Sequence, residues 1–194
     1  SYAGQYKTLL NVPSSVVLSG YKEVLASLFS PQVLSYRKNA WGEQREPAMA
    51  VGCTHMVDAK VSGVIYSTDP NQVGQEQMVI SACWGLGQLV VQGEGEVDQY
   101  LVSKIYPYAL LHQQIGKKEI HYVLSEEGGM VLKPVPPSLQ NEPCLDSSAL
   151  SLLVEMALRV ERHMKSFQDI EWCFDQQGQL IFLQARPLHV SRDL

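Results

Sequence analysis

Apolar and polar side chains alternate with a period of two along QDIEWCFDQQGQLIFLQARP, Gln168 to Pro187, and that alternation predicts a β-hairpin. Asp169 and Glu171 share one face of the first arm, while Ile170, Trp172 and Phe174 share the other. Asp175-Gln176-Gln177-Gly178 is the turn, with Gly178 free to take a positive φ. On the return arm Gln184 and Arg186 stand two apart, and Ile181 and Leu183 alternate with them. A register that sets Glu171 opposite an even-numbered residue gathers Asp169, Glu171, Gln184 and Arg186 on one face and the apolar set on the other.

The same reading organises the rest of the chain. Pro13 and the Ser14-Ser15 pair open a helix whose Val17, Tyr21, Val24, Leu25 and Leu28 recur at helical spacing, predicting one face packed on a core before Pro31. A short helical segment over Gln32 to Arg37 and a polar link through Glu46 and Pro47 follow. From Ala48 the period becomes that of strands: AMAVGCTHMV and VSGVIYS, separated by Asp58-Ala59-Lys60, with a turn at Thr68 to Asn71. Gln77 to Cys83 reads as a strand, and Trp84-Gly85-Leu86-Gly87 leads into a short helix ending near Gly93. VDQYLVSKI, YALLHQQI, KEIHYVL and GMVLKPV are further short strands. After a polar loop, Pro136 to Glu142, Asp146 or Ser147 caps a long helix with an apolar stripe of Leu150, Leu153, Val154, Ala157, Val160 and Met164. The prediction is an α+β fold: loop and helical segment over 1–47, then a mostly antiparallel sheet with flanking helices over 48–194.

Composition narrows the function. The 194 residues are 45% hydrophobic and 18% charged, a globular balance, and the net charge of −5 provides no broad basic field for nucleic acid or an anionic membrane. An anionic ligand must be held by local groups. Cys53, Cys83, Cys144 and Cys173 lack C-x-x-C spacing, which favours buried thiols in a reducing compartment over a zinc site or a disulfide framework. No apolar run approaches the ~20 residues that span a bilayer, so a cytoplasmic location is expected. The first residue is not Met and the chain opens mid-pattern, as a piece of a longer protein would. Lys104, Lys117, Lys118 and Lys133 read as solvated strand ends, and His55 as a structural residue. Gly85-x-Gly87 lacks the companions of a nucleotide loop and reads as a tight turn.

The hairpin's polar face has a chemical use. Mg²⁺ takes one or two carboxylates plus neutral oxygens and shares its other positions with substrate phosphates, and an Arg beside it can follow the charge on a phosphoryl group. An ordinary half-exposed hairpin with a surface ion pair has the same pattern, and periodicity alone leaves both open. Near the start, Gly4 would let a phosphate approach the backbone, or is a turn glycine.

Several segments together resemble one family. SYAGQYKTLLNV resembles the S-F-A-G-Q…T-x-L-N-V run of the nucleotide-binding domain shared by phosphoenolpyruvate synthase, pyruvate phosphate dikinase and their relatives. SGVIYSTDP is similar to that family's S-G-V-x-F-T-x-x-P, WGLGQLVVQG to W-G-L-G-E-x-V-V-x-G, and VDQYLVSK to P-D-x-[FY]-x-V-x-K. QDIEW and LQARP complete the series, in the family's order.

The resemblance implies an ATP-grasp-like lobe, residues 1–194 being the later part of an ATP-binding domain. It implies a preceding lobe with a nucleotide-binding lysine and arginine, and following phosphohistidine and barrel domains. The implied activity is that of an ATP-dependent phosphotransferase passing phosphoryl through a histidine of another domain, with ATP and Mg²⁺ as cofactors. By motif, Asp169, Glu171 and Gln184 hold Mg²⁺, Arg186 contacts the transferred group, and Gly4 and Thr8 lie on the phosphates, with Ser67 a further candidate nearby. There are departures: Thr54 stands where the family's adenine-facing Gln falls, Val97 replaces Pro before Asp98, and Lys165 and Phe167 stand where Gly and Pro are usual. They leave room for an acceptor other than pyruvate, or for a nucleotide-binding module without turnover. With half of the clamp absent, the isolated piece is expected to bind ATP weakly or not at all and to be inactive.

Overall fold

Strand β1 (Ala59–Tyr66) is central to the sheet because every second residue on it can be buried, with Val61, Gly63 and Ile65 facing one side and Ser62, Val64 and Tyr66 the other. The computed structural model describes residues 6–35 and 48–188. Two units can be distinguished, residues 57–123 with 131–194, and residues 1–56 with 124–130.

In the larger unit β1 pairs antiparallel with β2 (Gln77–Trp84) on one side and with β7 (Gln168–Asp175) on the other. Strands β3 (Asp98–Ser103) and β4 (Leu110–Gln114) extend the sheet beyond β2, and β8 (Leu180–Pro187) extends it beyond β7. The order is β4-β3-β2-β1-β7-β8, six strands with antiparallel neighbours throughout. Strands β5 (Ile120–Leu124) and β6 (Met130–Pro134) form a separate two-stranded sheet. The strands predicted beyond Ala59 are all present.

One face of the large sheet carries the core. Val61, Ile65, Ile80, Tyr100, Ile170 and Trp172 pack with Leu150, Leu153, Val154 and Ala157 of a long helix, numbered α3 below. Within the sheet, Gly63 leaves room for its neighbours on β2 and β7 because it has no side chain. A Cβ there would fall 1.9 Å from the Ser81 carbonyl oxygen and 2.6 Å from the Trp172 ring. The opposite face carries a short helix, α2 (Gln88–Gln92), which ends at Gly93 with φ 68°. Helix α3 (Ser147–Met164) starts at Asp146, whose side chain accepts the Ala149 N–H at 2.8 Å. Its C-cap is Lys165 with φ 55°, a left-handed position where the family pattern has glycine.

Several expectations are corrected. AMAVGCTHMV does not form a strand: residues 48–58 have no regular structure, most of them are exposed, and the strand begins at Ala59, inside the stretch read as a separator. Apolar alternation makes a strand only where a neighbour supplies backbone partners, and no described strand lies alongside it. In the smaller unit α1 (Val17–Ala26) turns the small side of Gly20, against Leu9 and Val12, inward, while Val17, Leu18 and Tyr21 remain 38%, 75% and 50% exposed. Leu28 follows it into the interior. Residues 31–35 are helical as expected, and the rest of that segment lies outside the described residues. Cys53 is exposed, Cys144 is half-buried, and Cys83 and Cys173 are buried.

Of the lysines read as solvated, Lys118 is buried and Lys104 is half-buried. Lys118 is 2% exposed, and its Nζ meets Asp98 Oδ1 at 2.5 Å. Lys104 Nζ donates to Glu161 at 2.8 Å and to the Ser67 carbonyl at 3.1 Å, tying α3 to the sheet. Each is held by a partner far away in sequence, so the local pattern gave no sign of it.

Candidate functional site

The hairpin closes in the register that collects its polar residues: Asp169 lies opposite Arg186 and Glu171 opposite Gln184. Its apolar parity is different from the expected one. Between Glu171 and Trp172 the register shifts, so Trp172 faces Phe182, and Leu183 is left over and 54% exposed. A β-bulge of one residue reverses the alternation, which lets the even-numbered Phe182 face the core and the even-numbered Gln184 stay in the polar row.

The rows continue into the sheet. Tyr66 of β1 is opposite Asp169, and Val64 is opposite Glu171 and Ser81. Between this face and α2 lies a cavity of about 100 Å³ whose polar walls are Tyr66, Ser81, Asp169, Glu171 and Arg186. Its polar lining suits a cation together with a phosphate group. Arg186 donates from Nε to Asp169 Oδ2 at 2.8 Å, and its Nη2 is 2.8 Å from the same oxygen. The Asp169 side chain is 10% exposed and that of Arg186 51%, so the guanidinium reaches from a buried carboxylate to the solvent.

Glu171 differs from Asp169 in having no hydrogen-bonding partner among the described residues. Burial pushes its carboxyl above the ordinary range, and Arg186 offsets this only in part. The folded state therefore binds the Glu171 proton more tightly than the unfolded chain does, and the ionised carboxylate subtracts stability at neutral pH. Glu171→Gln is expected to raise the thermal midpoint of the ligand-free protein at pH 7, by on the order of a degree or two. That gain should disappear as pH falls below the ordinary value of 4.5. Thermal melts of the two proteins across that range, with an unchanged or lower midpoint for Glu171→Gln at pH 7, would count against the assignment.

These residues fit a divalent cation. Two carboxylates against one guanidinium leave the cavity net negative, Asp169 Oδ1 is outside the ion pair, and Glu171 is an unpaired hard donor. Among the described residues no three His, Cys, Asp or Glu side chains converge to hold a metal by themselves, so the remaining positions fall to a ligand. When bound, Mg²⁺ supplies charge neutralisation across phosphates. Gln184 shares the Glu171 row but is exposed and does not line the cavity.

The other predicted positions lie elsewhere. Thr8 is exposed in the smaller unit, at a cavity of about 420 Å³ lined also by Lys7, Leu9, Val24 and residues 48–52. Gly4 lies outside the described residues. Ser67 is fully buried, its hydroxyl accepts the Gln168 N–H at 2.8 Å, and it does not line the cavity of Asp169 and Glu171. Sequence reasoning missed Tyr66 and Ser81. The available signal was parity, since both belong to the row set that contains Glu171 and Asp169.

Comparison with known proteins decides the family. Residues 1–193 match the pyruvate phosphate dikinase, AMP/ATP-binding domain. The chain belongs to this family. It is 35% identical over 189 residues to a probable phosphoenolpyruvate synthase of Methanothermobacter thermautotrophicus, covering 97% of the chain and 27% of that relative. With the Escherichia coli phosphoenolpyruvate synthase the identity is 34% over 199 residues, 96% of the chain and 25% of the relative. With a Bacillus subtilis uncharacterised phosphotransferase it is 34% over 189 residues, 97% of the chain and 22% of the relative. The chain thus spans about a quarter of the length of these dikinase-family relatives. Among its described residues no helix is long and apolar enough to cross a membrane.

Proposed function

We propose that this chain is part of the ATP-binding module of a phosphotransferase, with an ATP-grasp-like architecture, and that β1, β7 and β8 form its Mg-phosphate wall. The observation that carries the reading is the cavity where Asp169, Glu171 and Arg186 converge, two carboxylates and a guanidinium on one sheet face. Asp169 and Glu171 hold Mg²⁺, Gln184 contributes an amide oxygen at the open end of the row, and Arg186 meets the phosphoryl group as its charge redistributes. Gly4 and Thr8 are further phosphate-contact candidates by motif alone. Relatives named phosphoenolpyruvate synthase support a phosphotransferase in general, and the family resemblance suggests a transfer that passes through a histidine on another domain of the longer protein. A nucleotide-binding module without turnover is kept as the second reading, because Thr54, exposed in a segment without regular structure, stands where the family pattern has an adenine-facing Gln.

The test uses the intact protein and ATP labelled in its phosphates. Wild type is expected to retain acid-labile label only with Mg²⁺ present, and a variant carrying both Asp169→Asn and Glu171→Gln should retain none. Nucleotide binding without retained label would identify a module that binds and does not turn over. Label retained equally by the double variant would refute the metal assignment.

A further inference from the structure

The cavity contains one hydroxyl that the Mg-phosphate reading does not use. Tyr66 lies between Val79 and Asp169 in a single cross-strand row that ends at Arg186, and its side chain lines the same cavity as both charged groups. A row of this kind places side chains about 5 Å apart on one face. Its phenol has no hydrogen-bonding partner among the described residues, although Asp169 is close enough to influence it electrostatically. Asp169 Oδ2 is taken by two nitrogens of Arg186, and no hydrogen bond joins the phenol to either Asp169 oxygen, so its donor is available to a ligand in the cavity.

We propose that Tyr66 is a ligand-binding residue of this site, donating its hydroxyl hydrogen to a phosphate oxygen of the metal-bound polyphosphate, on the side opposite the Arg186 guanidinium. The inference rests on the Mg-phosphate reading above and goes beyond it by adding a neutral donor. The chemistry is suited to the place. A second cation there would cancel the negative charge that attracts Mg²⁺, whereas a phenol adds a donor without adding charge. A phenylalanine at this position, as in the S-G-V-x-F pattern that SGVIY resembles, would fill the row without a donor. Ser81, on the neighbouring row, is the other hydroxyl of the cavity and provides an independent comparison.

The experiment compares Tyr66→Phe with wild type in the intact protein, by calorimetric titration with Mg·ATP and separately with Mg·tripolyphosphate, which has the phosphates and no nucleoside. Loss of one hydrogen bond to a charged oxygen is expected to weaken both ligands about tenfold, by the same factor, with the thermal midpoint unchanged. Ser81→Ala, a smaller change at the edge of the same cavity, should weaken them less. Equal affinities of Tyr66→Phe and wild type overturn the inference and leave the Mg-phosphate reading standing. Weakening for ATP but not for tripolyphosphate overturns it as well, by placing the hydroxyl on the nucleoside. Absence of Mg·ATP binding by wild type would remove both readings together.

Discussion

Asp98→Ala should disrupt the half of the sheet that includes β3, more than any other single truncation described for this chain. Asp98 is fully buried and accepts from Lys118 Nζ at 2.5 Å, the Gly116 N–H at 3.1 Å, the Tyr100 hydroxyl at 3.0 Å and the Cys144 N–H at 2.7 Å. Without it the Lys118 ammonium, with its side chain 1% exposed, retains only the Gly116 carbonyl at 2.8 Å. Removing one partner of a buried ion pair costs about 3–5 kcal/mol, against a typical total of ~5–15. Amide hydrogen exchange in β2 and β3 of the intact protein should accelerate by roughly 10²-fold or more. Changing Lys118→Met in the same protein removes the stranded charge and should recover much of that loss. A penalty under about 1 kcal/mol would mean that water reaches Lys118.

Arg186→Ala is expected to lower phosphoryl transfer by the intact protein about 10²-fold or more, with little effect on folding. Its guanidinium is half exposed, so little packing is lost, but two functions go at once. The positive charge at the transferred group is removed, and Asp169 is left beside Glu171 as a second carboxylate without a counter-ion. Arg186→Lys keeps the charge and loses the fork that holds Asp169 Oδ2 through Nε and Nη2, and should fall between the two. Turnover of the alanine variant within a few-fold of wild type would exclude Arg186 from the transfer step.

How far the sequence could be read depended on the range of the forces involved. Helix α3 and the C-terminal hairpin were legible, because a stripe at helical spacing and an alternation of period two are local properties. The bulge at Leu183 was not. One inserted residue changes the parity of every later side chain and leaves composition untouched. The pairing of Lys118 with Asp98 was missed for a different reason: Lys118 reads as a strand-end charge, and its meeting with Asp98 depends on closure of the chain between them. Alternation at residues 48–57 misled in the opposite direction, since it records a tendency to pair and not the presence of a partner. At the candidate site the sequence pointed to Asp169, Glu171 and Arg186, which share one cavity, and to Gln184, which is exposed opposite Glu171 and does not line it. It overlooked Tyr66 because an aromatic residue in a strand reads as core until the row it belongs to is known.

The central position of β1 has a consequence for how the molecule comes into being. Its neighbour β2 follows within a dozen residues, but its other neighbour, β7, comes about a hundred residues later, with Ser67 bonded to Gln168 across that distance. During synthesis β1 to β4 can pair as they emerge, while the second edge of β1 waits for the hairpin. Tyr66 and the Asp169–Arg186 pair come together only at that final closure. A chain stalled before Gln168 would expose an unpaired apolar edge and have no site, so the ability to bind phosphate would also report that synthesis of this segment was complete.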